Sequence, residues 1–187
     1  MDAPAGNFQL RMFTPSDVRG IAEVHVRTWQ IAYGDYFSKG FLDGMGRLLS
    51  NEGLVQRANR LANPESITFV AEKDQDIVGF ATVQPNQEDL GPEVGELGAI
   101  YVDPAHWNSG IGSALITAAE SQLAASGFSR AILWTIGPNE RTRHFYERHG
   151  WSYDGTSKPH QGEVELVRYA KRLTPGDTES SQGRPQH

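Results

Sequence analysis

The sequence predicts a mixed α/β protein built on one sheet, mostly antiparallel, with helices on both faces. Three observations carry this. Apolar–polar alternation marks strands near both ends of the chain and in a block at its middle, and apolar residues spaced by three and four mark helices between them. The order is one strand, two helices, three strands, then helix, strand, helix and two strands. It combines strands that can pair through short turns with helices that must cross the sheet. The length, 187 residues, suits one domain and allows a core of several strands and helices.

Taken in order, Phe8 to Phe13 alternates as a first strand. Thr14 then serves as an N-cap, with Pro15 at the first helical position and Asp17 in the first turn. The helix that follows carries Val18, Ile21, Ala22, His25 and Trp29 on one face. The stretch AYGDYFSKGFLDGMG, residues 32–46, is rich in glycine and aromatics, too apolar for a solvated linker, and is read as a connection that packs or borders a pocket. A second helix, Asn51 to Ala62, puts Leu54, Val55, Ala58 and Leu61 on one face. Strands follow at Ser66–Glu72, Asp76–Pro85 and Glu93–Val102, the last stopped by Pro104. A helix starts near Gly110, with Ile111, Leu115, Ala118 and Ala119 inward and Ser113, Thr117 and Glu120 outward. Ser129–Ile136 reads as a strand and Asn139–His149 as a helix ended by Gly150. Residues 151–155 and 163–173 complete the strands, with a loop at Ser157–Glu165 between them. The domain thus spans residues 1–173, and the polar, Pro/Gly-rich tail 174–187 is expected to be disordered.

Composition narrows the function. There is no cysteine, which excludes disulfides, thiolate metal sites and cysteine nucleophiles. A net charge of -6 argues against a broad nucleic-acid surface and mildly favours cationic small molecules. Neither a signal peptide nor a membrane-spanning run is seen, so a cytoplasmic location is expected, without membrane partners.

Three features could carry chemistry. In HWNSGIGSALITAAE, residues 106–120, Gly110 and Gly112 enter a helix. Glycine permits close backbone approach, and a helix N-terminus offers free N–H groups to a phosphate. Alone, the pattern reads first as an ordinary turn. It is neither a dinucleotide fingerprint nor a P-loop. In NERTRHFYERHGW, Asn139 and Tyr146 lie two helical turns apart on one face. A tyrosine hydroxyl, with a pKa of about 10, can donate a proton to a leaving thiolate. Alone, Tyr146 and Phe145 would be core aromatics, and the charges around them a solvated face with i,i+4 pairs. Glu96 interrupts an apolar strand, and a buried carboxylate needs a partner or a task. Strand alternation puts it on the face of Ile100.

Together, in this order, the features resemble the GCN5-related N-acetyltransferases (GNATs). Residues 99–115, AIYVDPAHWNSGIGSAL, are similar to that family's motif A, and NERTRHFYERHGW to its motif B. The resemblance implies a sheet splayed at a central V-shaped opening with acetyl-coenzyme A in the gap. It implies that backbone groups of Ile100, Tyr101 and Val102 hold the pantetheine. Trp107, Asn108, Ser109, Gly110, Ile111, Gly112 and Ser113 would surround the diphosphate. Asn139 would contact the cofactor arm, Tyr146 would protonate the departing sulfur, and Glu96 would act as general base toward an amine. No metal is needed.

The chain departs from the family pattern at Trp107, where motif A has Gln or Arg, at Asn108, commonly Gly, and at Thr142, in place of motif B's alanine. A guanidinium would grip a phosphate bidentately. Tryptophan offers one N–H, or a ring to cover adenine or pantetheine. For the acceptor, a small-molecule or peptide amine, Trp29 and Tyr33 are candidate walls, with Tyr36 and Phe37 near them. Plain core is the competing reading for Trp29. His25 reads as a structural histidine and His160 as a solvent-exposed loop residue. The resemblance allows a homodimer. The expected activity is acetyl transfer to a primary amine by direct attack; the alternative is an acyl-coenzyme A-binding module without catalysis.

Overall fold

Seven strands form one sheet in the order β1-β2-β3-β4-β5-β7-β6. The computed structural model describes residues 7–161 and 164–174. The strands are β1 (Gln9–Met12), β2 (Ile67–Lys73), β3 (Asp76–Pro85), β4 (Val94–Val102), β5 (Arg130–Ile136), β6 (Ser152–His160) and β7 (Val164–Arg172). The helices are α1 (Val18–Ala32), α2 (Lys39–Gly44), α3 (Asn51–Leu61), α4 (Ile111–Ala125) and α5 (Glu140–Arg148). Every strand pair is antiparallel except β4 with β5. That parallel pair needs a crossover, which α4 supplies. Beyond Thr174, the tail expected to be disordered lies outside the described residues.

The parallel pair is short. Val94, Gly95 and Glu96 pair with Arg130, Ala131 and Ile132, and the ladder then stops. β4 continues along β3 to the Val102–Gly79 pair, and β5 continues along β7 to Ile136–Leu166. Their facing edges part, giving the expected V-shaped opening.

Helices cover both faces. On one, Ile111, Leu115, Ile116, Ala119 and Leu123 of α4 pack with Ala81, Val83, Leu97 and Leu133, and Tyr146 of α5 joins the same cluster. On the other, Val18, Ile21 and Val24 of α1 and Leu61 of α3 pack on Val70 and Phe80. A third cluster joins Tyr33, Phe37 and Leu42 to Ile136.

Several sequence readings need correction. Glu96 and Ile100 are on opposite faces. Gly98 is an extra residue in β4, because Ala99 pairs with Thr82 and Leu97 with Val83. A bulge shifts the alternation by one, so Glu96 shares the α1 face with Ala99 and Tyr101. The connection 32–46 contains α2, whose N-cap Ser38 accepts from the N–H of Phe41 at 3.3 Å. On α3, Val55 is 60% exposed and Arg57 is buried in its place. Glu120 does not point to solvent; it accepts from Trp151 Nε1 at 2.7 Å and Lys171 Nζ at 2.6 Å. β6 runs on to His160 because a bulge around Gly155, with φ of 89°, lets pairing resume at Ser157–Val167. His160 is therefore a strand residue.

Two charged clusters anchor α1. Asp17 takes both terminal nitrogens of Arg11, at 2.7 and 2.8 Å, and the N–H of Thr14 at 2.7 Å. The Arg11 contact, with Thr14 helping, holds the Asp17 carboxyl down at about 2. His25 Nδ1 lies 2.6 Å from Arg57 Nη2. Arginine only donates, so Nδ1 accepts. Burial, helped by the nearby arginine charges, pulls His25 down to about 3.

A histidine neutral in the fold but titrating near 6.5 when unfolded leaves the unfolded chain with one more bound proton between those values. Stability should therefore fall as pH drops from about 6.5 toward 3, by up to ~1.4 kcal/mol per pH unit for this single proton. Asp17 adds its own loss only below about pH 4. Urea unfolding between pH 7 and 4 should show this slope, and His25→Gln should flatten it.

Candidate active site

The opening between β4 and β5 is a cleft of about 630 Å³. One wall is β4 from Leu97 to Val102, and the other is β5 from Trp134 to Ile136 with α5 beyond it. Among the residues singled out from sequence, Ile100, Tyr101, Val102, Trp107, Asn108, Gly110, Gly112, Ser113, Asn139 and Tyr146 line it, as do Trp29 and Tyr33. Glu96, Ser109 and Ile111 do not. Ser109 turns its hydroxyl onto the His106 carbonyl at 2.6 Å, and the Ile111 side chain is buried under α4.

The loop between β4 and α4 is fixed from below. The buried Asp103 accepts from Ala105 N at 3.0 Å and from Arg27 Nε at 2.7 Å, which ties the loop to α1. Gly110, the N-cap of α4, has a φ of 85°, where a side chain would be strained. No side chain caps this helix end, so its first-turn N–H groups are free toward the cleft. Gly112 favours close packing for a different reason. A Cβ there would sit 3.2 Å from the Phe145 ring, so its absence lets α5 close against α4.

Trp107 does not aim its N–H at this amide cluster. The indole donates to the Val102 carbonyl at 2.8 Å, where Thr28 also donates at 3.2 Å. Of the backbone groups read from sequence as pantetheine contacts, the Val102 carbonyl is thus engaged inside the protein. The indole face carries the Arg141 guanidinium, whose central carbon lies 3.7 Å from the ring centroid.

On α5, Asn139 caps the helix by accepting from Thr142 N at 3.1 Å, and its buried side chain borders the cleft. The Tyr146 hydroxyl makes no hydrogen bond among the described residues. Burial, chiefly, raises its pKa well above the usual value, so it stays protonated. The charged face of α5 is not a set of i,i+4 pairs. Arg143 donates to the Tyr169 hydroxyl at 3.0 Å, and that hydroxyl donates to Glu147 at 2.8 Å. His149 donates from Nδ1 to the Phe145 carbonyl at 2.8 Å, and its Nε2 lies 3.1 Å from the Ser113 hydroxyl.

Glu96 sits at the apex, on the last paired rung. It accepts from the N–H of Gln87 at 3.3 Å, and burial, offset in part by that bond, raises its pKa. Trp134, two residues beyond its partner Ile132, lines the cleft on the same face. The Trp134 indole donates to Glu88 at 2.9 Å, and Lys158 lies 3.8 Å over its ring. At the far end, Trp29 donates to the Tyr101 hydroxyl at 3.1 Å and packs against Tyr33, Phe37 and Phe41. Trp29 is thus both core and wall. His160 reaches this cluster edge-on to Phe37, and burial, with Lys158 nearby, lowers its pKa. Sequence reasoning missed Trp134 and Arg141. No periodicity marks either as a cleft residue, since each is placed by a partner distant in sequence.

A profile of the acetyltransferase (GNAT) family matches residues 26–151. The chain belongs to this family. Among related GNAT proteins, an uncharacterized N-acetyltransferase of Bacillus subtilis, YuaI, is 27% identical over 66% of this chain and 68% of its own length. A probable N-acetyltransferase of Mycobacterium tuberculosis is 26% identical over 89% and 94%. A mycothiol acetyltransferase of Propionibacterium freudenreichii is 32% identical, and the match spans 59% of this chain but only 35% of that relative. Among solved structures, the PaiA N-acetyltransferase of Thermoplasma acidophilum, in complex with coenzyme A, shares the fold with a TM-score of 0.70 at 20% identity, covering 86% and 97% of the two chains. The GNAT assignment makes the protein an acyltransferase. No helix among the described residues is long and apolar enough to cross a membrane.

Asn139→Ala should lower the unfolding free energy by about 1 kcal/mol through the lost cap. Asn139→Asp, which keeps an accepting oxygen, should stay close to wild type in the same urea titration.

Proposed function

We propose that this GNAT protein transfers an acetyl group from acetyl-coenzyme A to a primary amine by direct attack. The observation that carries the reading is the early end of the β4–β5 ladder at Glu96–Ile132. It leaves a strand-wide slot with uncapped helix-terminal amides at one end and Tyr146 among its lining residues. An amide-bearing extended chain ending in a thioester suits such a slot, and its diphosphate suits the amides.

The residues divide the work by face. α4 and α5 hold the cofactor side, through Gly110, Gly112 and Ser113 toward phosphate and through Asn139 toward the arm. The bulge at Gly98 turns Glu96 to the other face, where α1 brings Trp29 and Tyr33. An acceptor amine entering there must lose a proton before its lone pair can attack, because an alkylamine has a pKa of about 10.4. Glu96, through a water, takes that proton. The amine nitrogen then bonds to the thioester carbon, an N–H of the unpaired β4 edge supports the developing oxyanion, and the C–S bond breaks. Tyr146, kept protonated by burial, gives its proton to the departing sulfur, and the proton that the nitrogen sheds as the amide forms passes through solvent to restore the Tyr146 hydroxyl. The acceptor, small molecule or peptide, meets a largely aromatic wall.

Coenzyme A should appear as free thiol when acetyl-coenzyme A is mixed with a panel of amines and peptides, and acetyl-coenzyme A should raise the melting temperature. Binding without thiol release across the panel would favour a non-catalytic module. Tyr146→Phe should cut kcat by ~10²-fold or more with little change in coenzyme A affinity. Because the Glu96 pKa is raised, wild-type rates should climb with pH through a limb above the ordinary carboxylate range, and Glu96→Gln should lose that limb. An unchanged pH profile in that variant would remove Glu96 as the base.

A further inference from the structure

Trp107 stands where the motif A pattern has Gln or Arg, and the phosphate loop, residues 106–113, holds no Lys or Arg of its own. The structure shows a cation at the same place, brought from another element. Arg141 belongs to the first turn of α5, and its guanidinium carbon lies over the Trp107 ring, 3.7 Å from the centroid. Among the described residues Arg141 has no ion pair and no hydrogen bond, so its donors are free. It lines the cleft, as does Gly110 at the uncapped start of α4. Apart from histidine, the charged side chains among the described lining residues are two arginines, Arg141 and Arg148, in a chain of net charge -6.

We propose that Arg141, carried on the face of Trp107, is the cation that grips the diphosphate of the cofactor, in the role that a basic residue at position 107 would otherwise fill. This rests on the acyl-coenzyme A reading above. The indole is suited to be the platform. Its N–H is held by the Val102 carbonyl at 2.8 Å, which fixes the ring plane. A guanidinium stacked on a ring keeps its edge N–H groups outward, in a fork that matches two phosphate oxygens. A free arginine on a helix would surrender more rotamer entropy to reach the same pose. Trp107 is thus a positioning residue and Arg141 the binding one.

The test is calorimetric affinity for coenzyme A, dephospho-coenzyme A and pantetheine, over a range of salt. Wild type should bind coenzyme A; if it does not, the acyl-coenzyme A reading itself fails. Given wild-type binding, Arg141→Gln should weaken coenzyme A and dephospho-coenzyme A alike, by ~10-fold or more. It should flatten the salt dependence and leave pantetheine, which lacks phosphate, within about twofold. Trp107→Ala should weaken coenzyme A in the wild-type background and much less when Arg141 is already Gln. Trp107→Arg should weaken binding too, because it removes the platform and sets a like charge beside Arg141. Arg141 is exposed and otherwise unpartnered, so circular dichroism should show its variants folded. Unchanged coenzyme A affinity in Arg141→Gln would overturn the proposal. So would equal losses for pantetheine, or tighter binding by Trp107→Arg. A loss confined to coenzyme A would move Arg141 to the ribose phosphate and overturn the diphosphate assignment. Additive effects of the Trp107 and Arg141 changes would overturn the platform role.

Discussion

β4 and β5 share hydrogen bonds over three residue pairs and no more, and the rest of the molecule is arranged around that limit. Each strand is fully occupied on its outer edge, β4 by β3 and β5 by β7. Their inner edges therefore face one another across a gap. Leaving backbone groups unpaired in a dry interior would cost about 1–3 kcal/mol each. Here the gap is a cleft open to water and ligand, so the cost is avoided and the edge stays available. The bulge at Gly98 lies just past the last rung and adds local twist where the strands must diverge.

The parted strands are kept in place by contacts that also shape the cleft. Arg27 on α1 and Asp103 at the end of β4 pin one lip. Thr28 and Trp107 both direct their donors to the Val102 carbonyl, so the last residue of β4, paired with Gly79 of β3 on its outer edge, is held on its inner edge by a helix and a loop. On the other lip, Arg143 bridges α5 to Tyr169 of β7, and Lys171 reaches both Glu120 and the His149 carbonyl. At the apex, Glu88 collects Trp134, Lys158 and Arg168 from three strands and draws the β3–β4 connection over the closed end. The first lip is thus braced within its own half of the sheet, while the Lys171–Glu120 pair and the Glu88 cluster tie the two halves together.

The sequence revealed the order of elements and the two motifs because both are local. Alternation and helical spacing placed the strands and most of the helices, and Gly110, Asn139 and Tyr146 were legible as a set. What escaped depended on partners distant in the chain. Glu96 was assigned to the wrong face because a bulge is a property of pairing, and no residue type announces it. Val55 looked like a core residue on an apolar pattern, but Arg57 took the buried place through His25, 32 positions away. β6 was cut short at Gly155 because a glycine with positive φ ends a strand as readily as it bulges one. Trp107 read alone offers one N–H or a covering ring; its partner is 34 residues further on, in a stretch whose charges suggest only solvation.

The bulged outer strand β6 has a consequence for the molecule in company. It is the edge of the sheet, its side chains are mostly exposed, and a free edge is a template for another chain. The kink at Gly155 breaks its flatness, Pro159 withholds a donor, and Lys158 adds a charge. A stray strand finds no straight run of donors and acceptors to copy. Growth of one sheet into the next through this edge is thereby disfavoured.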